Sequence, residues 1–418
     1  MPDRQSLDIS RRRILKATGA AGLAGIAGCS SNGGGSDGGS DGGSDGSSDG
    51  GGGDGSSDGG GDGGDGESGG SSTTEQSQLS MGFSTYFRGG AWITAFLEAT
   101  EFYAKDQNFD YNEFGNQESG QKQVSDIRQM ANQGYDGILV NTWDSEAVNP
   151  AIDEATEQGV PVFTANVDAT TENVTMYVAF SNRAAAETAA EQTIAELEEE
   201  KPDQDSYQIL DVMGAPAQQI TQQRDEPFVE KISNTDGFEI ADKVPGEFTR
   251  DAAQQATSEW INANGAPDAI YSANLSMGLG VLTALKNAGL AAKRGEDDHV
   301  VLVQLDAGPQ VIEGINDGYI DAAIDQPNYF YGPIALAYMR KYVEGDGEDE
   351  IPEVGTTITA DDLTIEPAQH KGVELWSEPV WAPAEIVEKD GHVQFQTNSV
   401  TVTEENADEP YLWGNIWG

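Results

Sequence analysis

GYDGILVNTWDSEAVNPAIDEATEQGVPVFTANVDA, residues 134–169, sets two short apolar runs, GILVN (137–141) and VPVFTA (160–165), on either side of a longer polar stretch. Short β-rich runs alternating with amphipathic stretches are what a parallel sheet with crossover helices requires. In both directions the rhythm continues. Upstream lie LSMGFS (79–84) and FDYNEF (109–114); downstream lie YQILDV (207–212), FEIADKV (238–244), DAIYSA (268–273), VVLVQLD (300–306) and IDAAID (320–325). Between the first two runs Trp92, Phe96, Ala99 and Tyr103 recur at helical spacing, and further helices are expected over 182–200 and 251–263. So many βα units exceed one doubly wound sheet, and a second series begins after Ala179. The expected architecture is α/β, with two doubly wound parallel-sheet lobes.

Ligands of such sheets bind beyond the carboxyl ends of the strands, which makes the polar residues there the candidates. These are Arg88, Trp92, Asn141, Asn166, Asp168, Arg224, Asn274, Asp306 and Gln326. Amides both donate and accept, aspartate accepts, and arginine donates in a fixed fork. A sugar, with vicinal hydroxyls around an apolar C–H face, needs that mixture beside an aromatic plate. Trp92, Trp143, Phe87, Tyr86 and Phe248 are the plates on offer, although Trp92 also lies on a helix stripe that suits core packing. Asn and Asp after a strand also cap helices and close turns, so Asp168 and Asp306 have a purely structural alternative. Truncating Arg224 or Asn274 to alanine is expected to abolish binding with little change in melting temperature.

The 418 residues carry 22 Lys+Arg against 72 Asp+Glu, a net charge of −50, which argues against nucleic acid as a partner. At molar salt the Debye length is about 3 Å, so such a surface stays soluble and its carboxylates barely interact. We read the composition as that of an extreme halophile, of archaeal origin. The chain opens with an arginine run, Arg11 to Arg13, before a short apolar segment, 14–28, too short to cross a bilayer. With its small residues and its ending IAGC, this segment resembles a twin-arginine export signal closed by a lipobox. Residues 1–28 are then a signal peptide, and Cys29, the single cysteine, is the lipidated mature start. Residues 29–78, nearly all Gly, Ser and Asp to about Thr74, can bury nothing and read as a disordered tether. His299, His370 and His392 are scattered rather than spaced as metal ligands, and no serine has an evident histidine partner. No cofactor, no metal and no enzyme activity are expected.

These residues resemble the type I periplasmic sugar-binding proteins of ABC importers, typified by ribose-binding protein. The likeness covers roughly 79–345 and rests on the order of the quoted stretch, QQRDEPF, AIYSANLSMGLGVLTAL, VQLDAGP and AAIDQP. It implies a bilobal protein whose chain passes outward near Ser181 and back near Gln326. Lobe 1 is then 79–181 plus 327–350 and lobe 2 is 182–326, with 351–418 an extension packed on the lobes. Carried over singly, Arg224, Asn274, Asp306 and Gln326 contact sugar hydroxyls, Phe248 of GEFTR is an aromatic wall, and Arg88 and Trp92 supply a polar and an aromatic contact. Asn166-Val167 stands where ribose-type members carry an Asp-Arg pair, which argues against ribose itself and toward another pentose, a hexose or a polyol. The implied protein is a monomer on the extracellular face of the cell membrane that delivers a monosaccharide to a permease. A sensor that presents a nucleoside or polyol to a signalling receptor is the alternative. A repressor of similar core would need a basic helix-turn-helix where this chain has a signal and a tether.

Overall fold

The computed structural model describes residues 77–85, 89–115 and 118–417. The export segment, Cys29, the tether as far as residue 76, Tyr86, Phe87 and Arg88 lie outside the described residues. The chain runs β1 (Leu79–Thr85), α1 (Ala91–Asp106), β2 (Phe109–Gly115), α2 (Gly120–Gln133), β3 (Gly137–Val140), α3 (Asn149–Glu157), β4 (Val162–Ala165) and β5 (Met176–Phe180). A second series follows: α4 (Asn182–Glu200), β6 (Tyr207–Met213), α5 (Gln219–Ser233), β7 (Phe238–Pro245), α6 (Arg250–Asn264), β8 (Ala269–Ser272), α7 (Leu275–Ala288), β9 (Val301–Leu305), α8 (Pro309–Asn316) and β10 (Ala322–Asp325). Then come α9 (Asn328–Glu344), the short strands β11 (Thr357–Ile358), β12 (Ala368–His370) and β13 (Val373–Leu375), then β14 (Ala384–Lys389), β15 (His392–Thr397), β16 (Val400–Val402) and α10 (Trp413–Ile416).

Two large sheets result, in the orders β11-β14-β15-β5-β4-β3-β1-β2 and β16-β10-β9-β8-β6-β7. Strands β1 to β5 and β6 to β10 are parallel within their sheets, and every residue of β3, β8 and β9 is buried. Helices on both faces demand this, because a parallel strand has no wet side. Local chemistry sets the helix starts: the Ser181 hydroxyl accepts the Ala184 amide at the head of α4, and Asn274 accepts the Met277 amide at the head of α7. Helices α1 and α9 approach closely at Gly332, where a Cβ would lie 1.9 Å from Thr100 Oγ1.

The extension beyond residue 350 does more than pack on the lobes. β15 runs parallel to β5 in the first sheet, and two residues later β16 pairs antiparallel with β10 in the second. The chain thus passes between the sheets three times: at Ser181, at Gln326-Pro327 and at Asn398-Ser399. The last segment touches both halves as well. Trp413 is fully buried against the second sheet's side, while Trp417 Nε1 donates to Glu98 of α1 at 3.1 Å. Among the described residues no helix is long and apolar enough to cross a membrane.

Candidate functional site

In a doubly wound sheet a crevice opens where successive crossovers leave to opposite sides. That point lies between β1 and β3 in the first sheet and between β6 and β8 in the second. Trp92 and Asn141 stand at the first; Arg224 and Asn274 stand at the second.

Arg224, only 6% exposed, donates from Nε to Asn182 Oδ1 at 2.8 Å and from Nη1 to the Ala273 carbonyl at 2.8 Å. Its guanidinium carbon is 5.7 Å from the centre of the Phe180 ring. Two of its nitrogens are thereby fixed on the protein. Asn274 takes the structural role open to an asparagine after a strand: Oδ1 caps α7 by accepting the Met277 amide at 2.9 Å. Asp306 Oδ1 accepts from Gln326 Nε2 at 2.6 Å, and Gln326 Oε1 accepts from the Tyr331 hydroxyl at 3.0 Å. The same hydroxyl oxygen accepts the Phe180 amide at 3.1 Å, and Thr397 lies close by. Burial pushes the Tyr331 phenol well above its usual range, which keeps it a neutral donor.

On the first sheet's side Asn141 Oδ1 accepts from Asn166 Nδ2 at 3.3 Å, and the Asn166 carbonyl accepts from the Tyr177 hydroxyl at 2.8 Å. Asn328 Nδ2 donates to the Trp92 carbonyl at 2.8 Å. Three polar atoms around these bonds are buried without a protein partner: Trp92 Nε1, Asn141 Nδ2 and Asn328 Oδ1. An unmet buried group costs about 1–3 kcal/mol. Asn166, Phe248 and Asp306 are held at φ 66°, 57° and 70°, as are several non-glycine residues elsewhere in the chain. The Phe248 ring closes over Gly214, where a Cβ would lie 2.1 Å from Phe248 Cζ. Trp92, half-buried, packs on the core with its ring tilted against Phe96 at 6.1 Å.

Asp168 is the correction. Its Oδ1 accepts from Thr164 Oγ1 at 2.6 Å; its Oδ2 accepts from Lys389 Nζ at 2.8 Å and bonds His392 Nε2 at 2.9 Å. Burial works against its charge, but His392 and Lys389 outweigh it and hold the carboxyl below its ordinary range. With both oxygens engaged and 4% exposure, it fastens the β4 loop to the β14–β15 hairpin rather than facing a ligand. The expectation that Arg224 and Asn274 carry no stability also fails, because one satisfies a buried carbonyl and the other caps a helix. Asn182, Asn328 and Tyr331 were missed. The first two are asparagines just after a strand's end, the rule that found the others; Tyr331 has no such signal, since its role depends on where three distant segments meet. Among the described residues no cluster could hold a metal ion.

A family model described as a periplasmic binding protein domain matches residues 81–347. The galactofuranose-binding protein YtfQ of Escherichia coli K12 is 22% identical over 307 residues, covering 72% of this chain and 94% of its own. The ribose import binding protein RbsB of Bacillus subtilis is 22% identical over 265 residues, covering 63% and 82%. Among solved structures, an ABC transporter periplasmic solute binding protein from Actinobacillus succinogenes with bound D-allose superposes with a TM-score of 0.62 at 18% identity, covering 79% of this chain and 99% of that one. The arabinose-binding protein AraP of Geobacillus stearothermophilus gives 0.61 at 18% identity, covering 80% and 100%. With two parallel sheets, a crevice at both switch points and a family match across most of the folded chain, this protein belongs to the periplasmic binding protein domain family.

Proposed function

We propose that this chain captures a monosaccharide, a pentose or a hexose, in the crevice between its two sheets and delivers it to the permease of an ABC importer. One observation carries the reading: Gln326 is bonded to Asp306 and to Tyr331, Arg224 is held by Asn182 and the Ala273 carbonyl, and Trp92 Nε1, Asn141 Nδ2 and Asn328 Oδ1 are buried without a protein partner. Donors and acceptors alternate there, as vicinal hydroxyls require. The relatives that bind ribose, galactofuranose, arabinose and allose support it. Ligand would draw the sheets together about the three crossings, the hinge closure that periplasmic binding proteins illustrate among domain motions. Cys29 would anchor the monomer by lipid at the outer membrane face, the Gly/Ser/Asp tract would give it reach, and the acidic surface suits molar salt.

Calorimetry at molar salt with D-ribose, L-arabinose, D-allose, D-fructose, xylitol and myo-inositol tests this. Micromolar binding of at least one, about −8 kcal/mol, is expected. Silence across these six, with heat from a nucleoside or an amino acid instead, overturns the substrate class.

A further inference from the structure

One residue before Gln326, a buried carboxylate receives bonds from the segment around Trp413 and from the loop that carries Asp306. Asp325 Oδ1 accepts from Trp413 Nε1 at 2.8 Å and from the Ala307 amide at 2.8 Å. Asp325 is 3% exposed and Trp413 is fully buried. Ala307 directly follows Asp306, whose φ of 70° is a conformation that must be held from outside. Gln326 directly follows Asp325, and its amide also faces the Asp325 carboxyl. One oxygen therefore lies one residue from each of two partners already bonded to one another, Asp306 Oδ1 and Gln326 Nε2 at 2.6 Å.

Trp413 is seated for that task. Its ring lies against Gly308, where a Cβ would come within 2.8 Å of Trp413 Cη2, and a Cβ on Gly414 would meet the Ala307 carbonyl at 2.4 Å. The segment is pinned at its other points too: Tyr329 donates its hydroxyl to the Tyr411 carbonyl at 2.6 Å, and Trp417 reaches Glu98. We infer that Trp413 is a positioning residue of the ligand crevice: acting through Asp325, it fixes the backbone of Asp306 and Gln326 in the arrangement that meets the sugar. It touches no ligand itself. The segment that looks like a tail is thus part of the recognition apparatus, an inference that rests on the sugar-binding reading above.

The test uses the full chain at molar salt, with the six solutes named above. Trp413→Phe keeps an aromatic ring but removes the N–H together with the five-membered ring; it is expected to weaken binding at least tenfold and to speed hydrogen exchange at the Ala307 and Gln326 amides, with exchange in β6 and β8 unchanged. Asp325→Leu should weaken binding as much, Asp325→Asn, which keeps an acceptor oxygen, should lose less, and Trp413→Phe on top of Asp325→Leu should add nothing. If Trp413→Phe does not fold, the ordering of Asp325→Asn above Asp325→Leu carries the same decision. Equal affinity in the unmodified chain, Trp413→Phe and Asp325→Leu overturns this inference alone. Absence of heat from all six with the unmodified chain overturns the sugar reading, and this assignment falls with it.

Discussion

The Tyr331 hydroxyl donates to Gln326 Oε1 at 3.0 Å, and in doing so decides which end of that amide faces the crevice. With Oε1 held, Nε2 turns to Asp306, and the orientation of one side chain fixes that of the next. Because the same oxygen accepts the Phe180 amide, the bond also ties the second passage between the sheets to the first.

Tyr331→Phe should therefore weaken sugar binding by about tenfold or more and also lower the melting temperature. It leaves the Phe180 amide and Gln326 Oε1 unmet, each at about 1–3 kcal/mol. Calorimetry and thermal unfolding measure the two effects, and a variant that binds as the unmodified chain does would remove Tyr331 from the site's support.

Arg224→Ala should abolish binding and cost stability together, because the Ala273 carbonyl and Asn182 Oδ1 lose their donors. Asn274→Ala should lose about 1 kcal/mol as a missing helix cap. Melting temperatures of both, compared without ligand, check the difference; an unaltered value for Arg224→Ala would contradict the bonds described.

Gly214→Ala probes the aromatic wall from behind. Its Cβ would occupy the place of the Phe248 ring tip, 2.1 Å from Cζ, so the ring must shift. Weaker binding with a near-normal melting temperature is expected, with Phe248→Ala giving a similar loss. Should Gly214→Ala bind normally, Phe248 has no part in recognition.

Stability should fall as pH rises from about 5 to 8. Burial pushes Asp325 up to about 7, despite the Ala307 and Trp413 bonds that favour its charge. A carboxyl raised in the folded state stabilises fully below its unfolded value near 4, and that contribution is lost as pH rises through about 7, on the order of 4 kcal/mol. His299 acts in the same direction: burial opposes its charge, but the Asp321 bond at 2.9 Å outweighs it and raises the imidazole. Its contribution is present below about 6.5 and lost above the raised value. Asp168, held low, works oppositely and loses its contribution only in acid, as pH falls through its depressed value. Melting curves of Asp325→Asn and His299→Gln across this range should each be flatter than that of the unmodified chain.

Alternation of apolar runs made the two sheets legible, because buried parallel strands must be apolar on both faces and crossover helices must be amphipathic. The same rule, polar residues after strands, singled out Arg224, Asn274, Asp306 and Gln326, of which Asp306 and Gln326 are bonded to one another. It misread Asp168 because the partners that engage it, Lys389 and His392, come from the far end of the chain. Sequence separation hid the β15 and β16 pairings for a like reason: HVQFQT and VTV are short and half-polar, and only their neighbours β5 and β10 make them strands. The extension 351–418 gave no local sign that Trp413 bonds Asp325, because that bond joins residues 88 apart in sequence.

The late position of β15 and β16 has a consequence for the chain as it is made. Residue 177 waits for residue 394, and residue 323 for residue 402, before either sheet's hydrogen-bonded row is complete. Until residues 392–402 have emerged from the ribosome, β5 and β10 are open edges, the kind that pair with other nascent chains. Pairings so distant in sequence also make closure slow. A prematurely ended translation product would expose both edges at once, so its fate is aggregation or proteolysis rather than a smaller working protein.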